Sequence, residues 1–167
     1  MGMSAITVRR AGEGDVPAIT VIYNQGIEDR VATLETELRT EGERRDWLAA
    51  RGERHPVFVA ERDGRVVAWA SLNRFNPRPA YDHVADLSIY VERGERGRGV
   101  GRALLPHVID AAQTIGYHKM VLAAFPTNAR GMQLYEAMGF RRVGIYREQG
   151  LLDGRWVDVI IMERIFS

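Results

Sequence analysis

The chain has 167 residues, 46% of them hydrophobic and 27% charged, which fits a single globular domain with enough apolar content for a core. Its formal net charge of +1 argues against a surface for nucleic acid, and the absence of cysteine excludes disulfides, thiolate metal sites and a cysteine nucleophile. No stretch approaches the roughly 18 apolar residues of a membrane span and no signal-peptide core lies near the start, so we expect a cytoplasmic protein without a membrane partner.

The first half of the chain alternates between strand and helix patterns. Asp15 stands where a helix N-cap would, and Thr40 with Glu43 forms a capping-box pattern at the start of a second helix. Asp63-Gly64 separates two β-rich runs, which is a strong signal for a hairpin turn. The elements predicted here are a strand over 5–11, helices over 13–29 and 40–52, and a hairpin over 56–72.

The second half begins with a loop over 74–82, because two prolines exclude regular structure there. A glycine-rich stretch then separates a strand from a long amphipathic helix. A shorter helix is capped at Thr127 or Asn128, and Asp153-Gly154 marks a final hairpin turn. The elements predicted here are strands over 83–93 and 119–125, helices over 100–115 and 127–140, and a hairpin over 141–165.

The order of these elements, β-α-α-β-β-β-α-β-α-β-β, predicts an α+β domain with a mixed sheet. In the middle of the chain, a strand, the glycine-rich stretch, a helix and a strand predict a βαβ unit. Because no repeat, low-complexity tract or linker divides the sequence, we expect one domain over residues 1–167.

The glycine-rich stretch "RGERGRGVGRALL" (93–105) indicates an anion-binding turn. It is not a P-loop, because no Lys followed by Ser or Thr comes after the second glycine. It is not the dinucleotide fingerprint either, because Arg102 takes the place of the third glycine. What remains is a strand-to-helix turn with free amides and several arginines, which fits a pyrophosphate. The alternative is an ordinary flexible turn whose arginines are solvated.

The spacing of this turn resembles the acyl-CoA pyrophosphate loop of the GNAT superfamily of N-acetyltransferases. The resemblance covers nearly the whole chain and is to the branch that acetylates phosphinothricin, methionine sulfone or sulfoximine, and arsinothricin. It implies a GNAT fold, with a splayed strand in a mixed central sheet and about four flanking helices. It also implies acetyl-CoA as cosubstrate and a homodimer that buries part of the C-terminal hairpin. The stretches that carry the resemblance are IYNQGI, DW, VAERDGRVVAWA, RPAYDHVADLSIYV, RGERGRGVGRALL, NARGMQLYEAMGF and LDGRWVDV.

The resemblance also implies which residues contact acetyl-CoA. The strand before the loop offers backbone amides to the thioester carbonyl and the pantetheine. Asn128 resembles the family's pantetheine-contacting asparagine, a role that is compatible with capping a helix. Where many relatives have Asn-x-x-Ser, this chain has Asn128-Ala129-Arg130-Gly131, which removes one hydroxyl contact. The implied cofactor-binding residues are Ile89, Tyr90, Val91, Arg96, Gly97, Arg98, Gly99, Val100, Gly101, Arg102 and Asn128.

Amide formation from a thioester requires an amine that has lost a proton, a donor for the developing negative charge, and a proton for the departing thiolate. For the base we choose Asp86, because the alternation of "VADLSIYV" leaves it on the polar face of a strand with Ser88 and Tyr90. Relatives commonly carry Glu here, so the shorter Asp86 would act through a water or orient the ammonium. The alternative is a strand carboxylate paired with an arginine.

For the acid we choose Tyr135, which the resemblance places near the CoA sulfur. A phenol of ordinary pKa about 10 holds its proton at neutral pH. Tyr135 also lies three residues before Met138 on its helix, so a plain core role is the alternative. Ser88 lacks the surroundings of a nucleophile, so we expect direct attack without an acyl-enzyme. The four histidines have no metal-ligand spacing, and no metal is predicted.

The loop "RFNPRPAYD" carries the predicted substrate contacts. Arg74 and Arg78 would clamp a carboxylate or an oxyacid bidentately, and Tyr81 offers an aromatic wall. The alternative is an exposed surface loop. By resemblance alone, Tyr23, Asn24 and the segment "EDRVATLET" form the opposite wall.

Together these features predict an acetyl-CoA-dependent N-acetyltransferase of a small amino-acid-like amine, with a second copy of the chain as partner and neither nucleic acid nor membrane. One alternative is acetylation of another amine or of a protein N-terminus. Arg74 and Arg78 argue against a cationic polyamine, which would require carboxylates. The other alternative is a non-catalytic acyl-CoA-binding sensor, against which the retention of both Asp86 and Tyr135 argues.

Overall fold

The predicted order of strands and helices is confirmed by the computed structural model, which describes residues 4–167; residues 1–3 of the predicted domain lie outside the described residues. Short 3-10 turns lie at Glu13–Asp15, Pro79–Tyr81 and Arg93–Glu95. The strands and helices are β1 (Ile6–Arg10), α1 (Val16–Glu28), α2 (Glu41–Ala49), β2 (Val57–Arg62), β3 (Arg65–Arg74), β4 (Val84–Val91), α3 (Val100–Ile115), β5 (Lys119–Ala124), α4 (Ala129–Ala137), β6 (Arg141–Leu152) and β7 (Arg155–Ile165).

The seven described strands form one mixed sheet in the order β1-β2-β3-β4-β5-β7-β6. Every neighbouring pair is antiparallel except β4 and β5, which run parallel. The parallel pair is connected through α3, as a βαβ unit requires. The α+β class with a mixed central sheet is therefore confirmed.

The predicted splayed strand is β4. It pairs with β3 along its whole length, from Ala85 to Val91. With β5 it pairs only over Val84–Asp86, opposite Lys119–Val121, and the two strands then separate. A fork opens between them from Leu87 onward, and Asp86 lies at its apex.

Helices cover both faces of the sheet, because the strands alternate as the sequence predicts. Leu72, Ala85 and Leu87 point to one face, where they pack with the buried side of α3. Trp69 points to the other face, where it packs with α1 and with Trp47 of α2. The polar positions of β4 share this second face, which is therefore the side on which a cleft can form.

The helix starts differ in how well the sequence predicted them. Thr40 caps α2, since its side chain accepts a hydrogen bond from the Glu43 amide at 3.1 Å. Asp15 is the N-cap residue of α1, as predicted, but its side chain makes no capping hydrogen bond to the helix. Its carboxylate instead accepts two hydrogen bonds from Arg9, both at 2.7 Å, and one from the Gly12 amide at 2.8 Å. The bidentate, charge-assisted pair with Arg9 thus takes the place of a capping bond.

A buried ion pair fixes the glycine-rich loop to the sheet. Glu95 in the loop is 5% exposed and Arg62 of β2 is 8% exposed, and Arg62 Nε lies 3.2 Å from Glu95 Oε2. Arg62 also donates a hydrogen bond to the Arg98 carbonyl at 3.4 Å. The loop is therefore fixed to β2 by a buried ion pair and a hydrogen bond to its backbone.

We expect Glu95→Gln to lower the free energy of unfolding by about 3 kcal/mol or more, because it leaves the Arg62 charge buried without a counter-ion. Urea unfolding followed by circular dichroism measures this. The matched control is Glu13→Gln, which weakens an exposed pair with Arg45 (3.4 Å) and should change the free energy by no more than about 0.5 kcal/mol. Equal losses in the two variants would contradict a structural role for the buried pair.

Candidate active site

Two adjoining cavities open at the fork between β4 and β5. The larger has a volume of about 580 Å³ and runs along the glycine-rich loop. The smaller, of about 160 Å³, lies above Asp86 and the divergent half of β5. The residues that line both cavities are Val31, Ala32, Ile89, Tyr90, Asn128 and Tyr135. A ligand in one cavity would therefore touch the same walls as a ligand in the other.

Asp86 lies at the floor of the smaller cavity, beside Ser88. Burial raises the pKa of its carboxyl to about 6, and no compensating partner opposes that effect. Among the described residues, none donates a hydrogen bond to this carboxyl or forms an ion pair with it, so the alternative of an arginine-paired strand carboxylate is not what the structure shows. A carboxyl with such a pKa can exchange a proton near neutral pH.

A chain of hydrogen bonds that sequence patterns did not reveal runs beside Asp86. Asn73 stands opposite Asp86 on β3 and donates a hydrogen bond from Nδ2 to the Ser88 hydroxyl at 3.0 Å. Its Oδ1 accepts from Arg51 Nη2 at 2.9 Å and from the Ser71 hydroxyl at 3.0 Å. Since a guanidinium only donates, these contacts fix the orientation of the Asn73 amide and leave the Ser88 proton free to point into the cavity.

Tyr135 of α4 lies across the fork from Asp86 and lines both cavities. Its ring packs edge-to-face with Phe140, with 6.3 Å between the ring centroids. Burial raises the pKa of its phenol to about 12. Tyr135 is thus both part of the core and a group that keeps its proton at the cavity wall, so the two alternatives from the sequence are compatible.

The larger cavity is lined by every residue that the sequence predicts for cofactor binding except Arg98. Asn128 is the cap of α4, since its Oδ1 accepts from the Gly131 amide at 3.0 Å. Arg98 instead points toward Glu95, at 3.7 Å. Arg96 does line the cavity, but its guanidinium donates to Asp29 at 2.7 Å and to the Val91 carbonyl at 3.3 Å.

The glycines of the loop do not all face the cavity in the same way. Gly99 has a φ of +83° and open space where a side chain would be. At Gly97 (φ +74°) a methyl group would overlap with the guanidinium of Arg130, and at Gly101 it would lie 2.7 Å from a methyl carbon of Leu134. The lack of a side chain at Gly97 and Gly101 therefore makes room for Arg130 and Leu134 of α4, whereas the space beside Gly99 is open.

The five residues predicted for substrate binding are not brought together with Asp86. Arg74, which the sequence placed in the loop, is instead the last residue of β3, paired with Ala85 of β4. Arg74, Arg78 and Tyr81 are exposed and line neither cavity. Tyr23 packs among aromatic rings, with its ring centroid 5.0 Å from that of Tyr90. Asn24 exchanges two hydrogen bonds with the backbone of Arg39, at 2.9 and 3.0 Å. Tyr23 and Asn24 therefore line neither cavity, and Tyr23 supports the cavity wall by packing behind Tyr90.

The wall opposite Asp86 comes from the segment between α1 and α2, as the resemblance implied, through Val31 and Ala32. The segment is tied to the tip of the last hairpin by Arg30, whose Nε donates to Asp153 at 3.0 Å. Leu34 of the same segment packs on Gly150 of β6, where a methyl group would lie 2.9 Å from Leu34 Cδ1. No local pattern in the sequence marks these contacts, because they join parts of the chain far apart.

Within residues 4–167, no group of three or more His, Cys, Asp or Glu side chains could hold a metal ion. No helix in that range combines the length and the apolar character that crossing a membrane requires.

Comparisons with known proteins agree on one family. The sequence pattern of the acetyltransferase (GNAT) family matches residues 21–140. The L-methionine sulfoximine/L-methionine sulfone acetyltransferase of Salmonella typhimurium strain LT2 is 31% identical over 159 residues, covering 95% of this chain and 93% of that protein. The ribosomal-protein-alanine N-acetyltransferase structure from Brucella melitensis is 35% identical, with a TM-score of 0.92 over 96% of this chain and 99% of that one. A phosphinothricin acetyltransferase from Sinorhizobium meliloti, solved in complex with AcCoA, is 30% identical with a TM-score of 0.91. The match covers 97% of this chain and 89% of that one.

We expect Asp86→Asn to stabilise the fold above pH 6. The folded-state pKa of about 6 exceeds the ordinary value of 3.8, so folding opposes ionisation, and stability falls as the pH rises from about 4 to 6. Asn cannot ionise, so the variant should gain up to about 3 kcal/mol over the wild type at pH 7.5, and the gain should vanish near pH 4.

Urea unfolding at the two pH values measures this difference. Asp46→Asn, at an exposed site on α2, is the control and should stay within about 0.5 kcal/mol of the wild type at both. An Asp86→Asn variant that is no more stable at pH 7.5 than at pH 4, relative to the wild type, would disprove the raised pKa.

Proposed function

This chain belongs to the acetyltransferase (GNAT) family, and on that premise we propose that it transfers the acetyl group of acetyl-CoA to the α-amine of a small amino acid. The proposed substrates are of the phosphinothricin, methionine sulfoximine, methionine sulfone or arsinothricin type. The observation that carries the proposal is the position of Asp86, a buried carboxyl without a cationic partner at the apex of the fork. It lines the smaller cavity, which shares six wall residues with the larger one.

The larger cavity fits an elongated, anionic cosubstrate such as acetyl-CoA. Its volume of about 580 Å³ lies in the range of small-molecule sites. Free amides of the loop and the start of α3 at Val100 suit a phosphate at one end. At the other end, the unpaired edge of β4 from Leu87 to Val91 offers backbone groups to an amide-containing chain. Acetyl-CoA supplies an activated acetyl group, as a thioester, to the junction of the cavities.

Asp86 would take the proton from the substrate ammonium, because its pKa near 6 leaves it ionised at neutral pH yet basic enough to accept a proton. Tyr135 would give its proton to the departing thiolate, since its phenol is protonated at neutral pH and lines both cavities. Neither cavity presents a side chain activated as a nucleophile by a neighbouring base, so the amine attacks the thioester directly.

The names of two relatives support the proposed substrate class, since one is named for methionine sulfoximine and methionine sulfone and the other for phosphinothricin. Such amino acids carry a carboxylate and a tetrahedral polar group, for which guanidinium groups are good partners. Arg74 and Arg78 remain the proposed contacts. Arg74 directly follows Asn73, the residue opposite Asp86, so the loop leaves the sheet beside the smaller cavity.

Acetylation of a protein N-terminus is a second candidate. The solved structure named as a ribosomal-protein-alanine N-acetyltransferase is as similar to this chain, at 35% identity, as the amino-acid acetyltransferases are. An exposed loop with Arg74 and Arg78 would suit a small acid in a closed cleft less directly than a peptide that passes over the surface. The two candidates differ in the size of the amine that they accept.

We further propose a homodimer that covers the last hairpin. Both strands of this hairpin expose large apolar side chains, and Leu151 and Trp156, which are paired across the strands, are 58% and 65% exposed. Exposed apolar patches of this kind are typical of interaction surfaces. The other large apolar side chains that the hairpin exposes are Val143, Ile145, Tyr146 and Ile165.

We expect acetyl-CoA-dependent release of CoA thiol with phosphinothricin, methionine sulfoximine or methionine sulfone, and not with a polyamine. In Asp86→Asn the turnover should fall 100-fold or more, because the amine keeps its proton, while acetyl-CoA binding persists. In the wild type the turnover should fall as the pH drops below about 6, where Asp86 takes up a proton. Thiol release between about pH 5 and 8 measures the substrate range, the loss of turnover in Asp86→Asn and the pH dependence. Calorimetry measures acetyl-CoA binding.

Asp46→Asn is the matched control for this measurement, since it removes an exposed carboxylate outside both cavities, and its turnover should equal the wild type's. Turnover only with a ribosomal N-terminal peptide would favour the second candidate. Tight acetyl-CoA binding with no turnover on any amine would favour a sensor. Full activity in Asp86→Asn would remove Asp86 as the base.

The dimer is tested with Trp156→Glu, which places a charge on the exposed patch. We expect the wild type to elute with the mass of two chains and the variant with the mass of one, because an unpaired charge is costly to bury. Size-exclusion chromatography with light scattering measures the mass. Val21→Glu, at a position of α1 that is 55% exposed, is the control and should remain a dimer. A monomeric wild type would contradict the proposal.

A further inference from the structure

The glycine-rich loop and α4 fit together as two matched pairs. Arg130 and Leu134 are four residues apart on α4 and so lie on one face of the helix. Gly97 and Gly101 are four residues apart in the loop and at the start of α3. A Cβ at Gly97 would lie 2.7 Å from the guanidinium carbon of Arg130, and one at Gly101 would lie 2.7 Å from Leu134 Cδ2. The guanidinium of Arg130 therefore rests directly on the backbone of the loop.

Three arginines of the loop, Arg93, Arg96 and Arg98, are engaged elsewhere, whereas Arg102 in the first turn of α3 lines the larger cavity. Arg96 donates to Asp29, which Arg93 also binds through two hydrogen bonds of 2.8 Å. These two arginines hold the pKa of the Asp29 carboxyl below its usual range, so Asp29 stays ionised and keeps Arg96 in place. Arg98 lies beside Glu95 and outside the lining of the larger cavity. The positive charge of these side chains is largely neutralised by carboxylates of the protein.

Arg130 differs from them in its surroundings. It lines the larger cavity and is exposed to solvent. Within the described part of the chain, residues 4–167, no hydrogen bond or ion pair engages its guanidinium. An exposed guanidinium that lies over a turn of free amides, with no carboxylate beside it, adds to the positive potential that the amides create.

We propose that Arg130 binds the diphosphate of acyl-CoA, in place of Arg93, Arg96 and Arg98 of the loop. The inference rests on the proposed function, since it concerns the cosubstrate of that reaction. The open face of Gly99 and the amides at the start of α3 contact the diphosphate from one side. Arg130 contacts it from the side of α4, through a charge-assisted and bidentate pair.

The composition of the turn before α4 supports this assignment. Residues 127–131 all line the larger cavity, and Arg130 is the charged residue among them. The side chain of Asn128 caps the helix, since its Oδ1 accepts from the Gly131 amide. Arg130 is therefore the side chain of this turn that can offer a positive charge to a ligand.

Isothermal calorimetry of CoA and of 3′-dephospho-CoA tests the proposal with the full-length wild type, Arg130→Gln and Arg130→Met. Both variants should bind each compound about 10- to 100-fold more weakly than the wild type, as expected for one lost charge-assisted contact. Methionine keeps the apolar stem over Gly97, so a similar loss in both variants shows that the charge matters rather than the packing. Arg130→Lys should recover part of the affinity.

The matched control is Arg142→Ala, which removes an exposed arginine that pairs with Glu136 of α4 and lies outside the larger cavity. Its affinity for both compounds should equal that of the wild type. Three results would overturn the inference: unchanged affinity in both Arg130 variants, a loss confined to Arg130→Gln, or a loss seen with CoA and absent with 3′-dephospho-CoA, which would place Arg130 at the 3′-phosphate. If the wild type binds neither compound, the proposed function itself fails.

Discussion

The separation of β4 from β5 after Asp86 is the constraint on which the rest of the molecule depends. The two strands share three paired positions, and beyond them the facing edges have no strand partner. Backbone N–H and C=O groups buried without a partner are costly, so a gap of this kind is stable only if it opens to water or to a ligand with polar groups. The gap becomes two cavities because α4 and the segment around Val31 close it from either side. Both Asp86 and Tyr135 are functional candidates only because they lie along this gap.

The two sides of the gap differ in how their charged side chains are paired. The chain has 23 basic and 22 acidic side chains, and most of its buried charges are paired, as Arg62 is with Glu95. Asp86 is the exception on the amine side, where nothing positive offsets its desolvation and its pKa rises to about 6. On the cosubstrate side, the carboxylates of Asp29 and Glu95 hold the loop arginines in fixed positions. Proton exchange and anion binding are thus kept at different ends of one cleft.

Much of the fold could be predicted from the sequence because its signals are local. Alternation gave the strands, helical spacing gave the helices, and Asp63-Gly64 gave a turn that the structure confirms. Asp15 is at the start of α1 as predicted, but its side chain does not cap the helix because Arg9, six residues earlier, binds the same carboxylate. The sequence also indicated glycines that make room for an anion, whereas the structure shows that Gly97 and Gly101 make room for α4.

The parts of the site that could not be predicted are those made by contacts between distant segments. Ser88 is hydrogen-bonded to Asn73, 15 residues before it, and Asn73 to Arg51, a further 22 residues before, through contacts that no periodicity encodes. Arg74 and Arg78 were chosen for the ability of guanidinium groups to clamp an acid, but Arg74 ends β3 and the position of Arg78 relative to Asp86 depends on the irregular segment that follows. Tyr23 was placed on the cleft wall, yet Arg44 stacks on its ring at 4.5 Å, which draws it into the layer beneath α2.

The origin of the cavity walls has a genetic consequence. Apart from Gly26, Val31 and Ala32, every residue that lines the larger cavity comes from the uninterrupted stretch between Ile89 and Tyr135. Recognition of the cosubstrate is thus encoded by one contiguous part of the gene. The segment after α1, the loop after β3 and the last hairpin lie outside it. Under the proposed function, mutation in the loop after β3 or in the last hairpin can alter the choice of amine without changing this stretch.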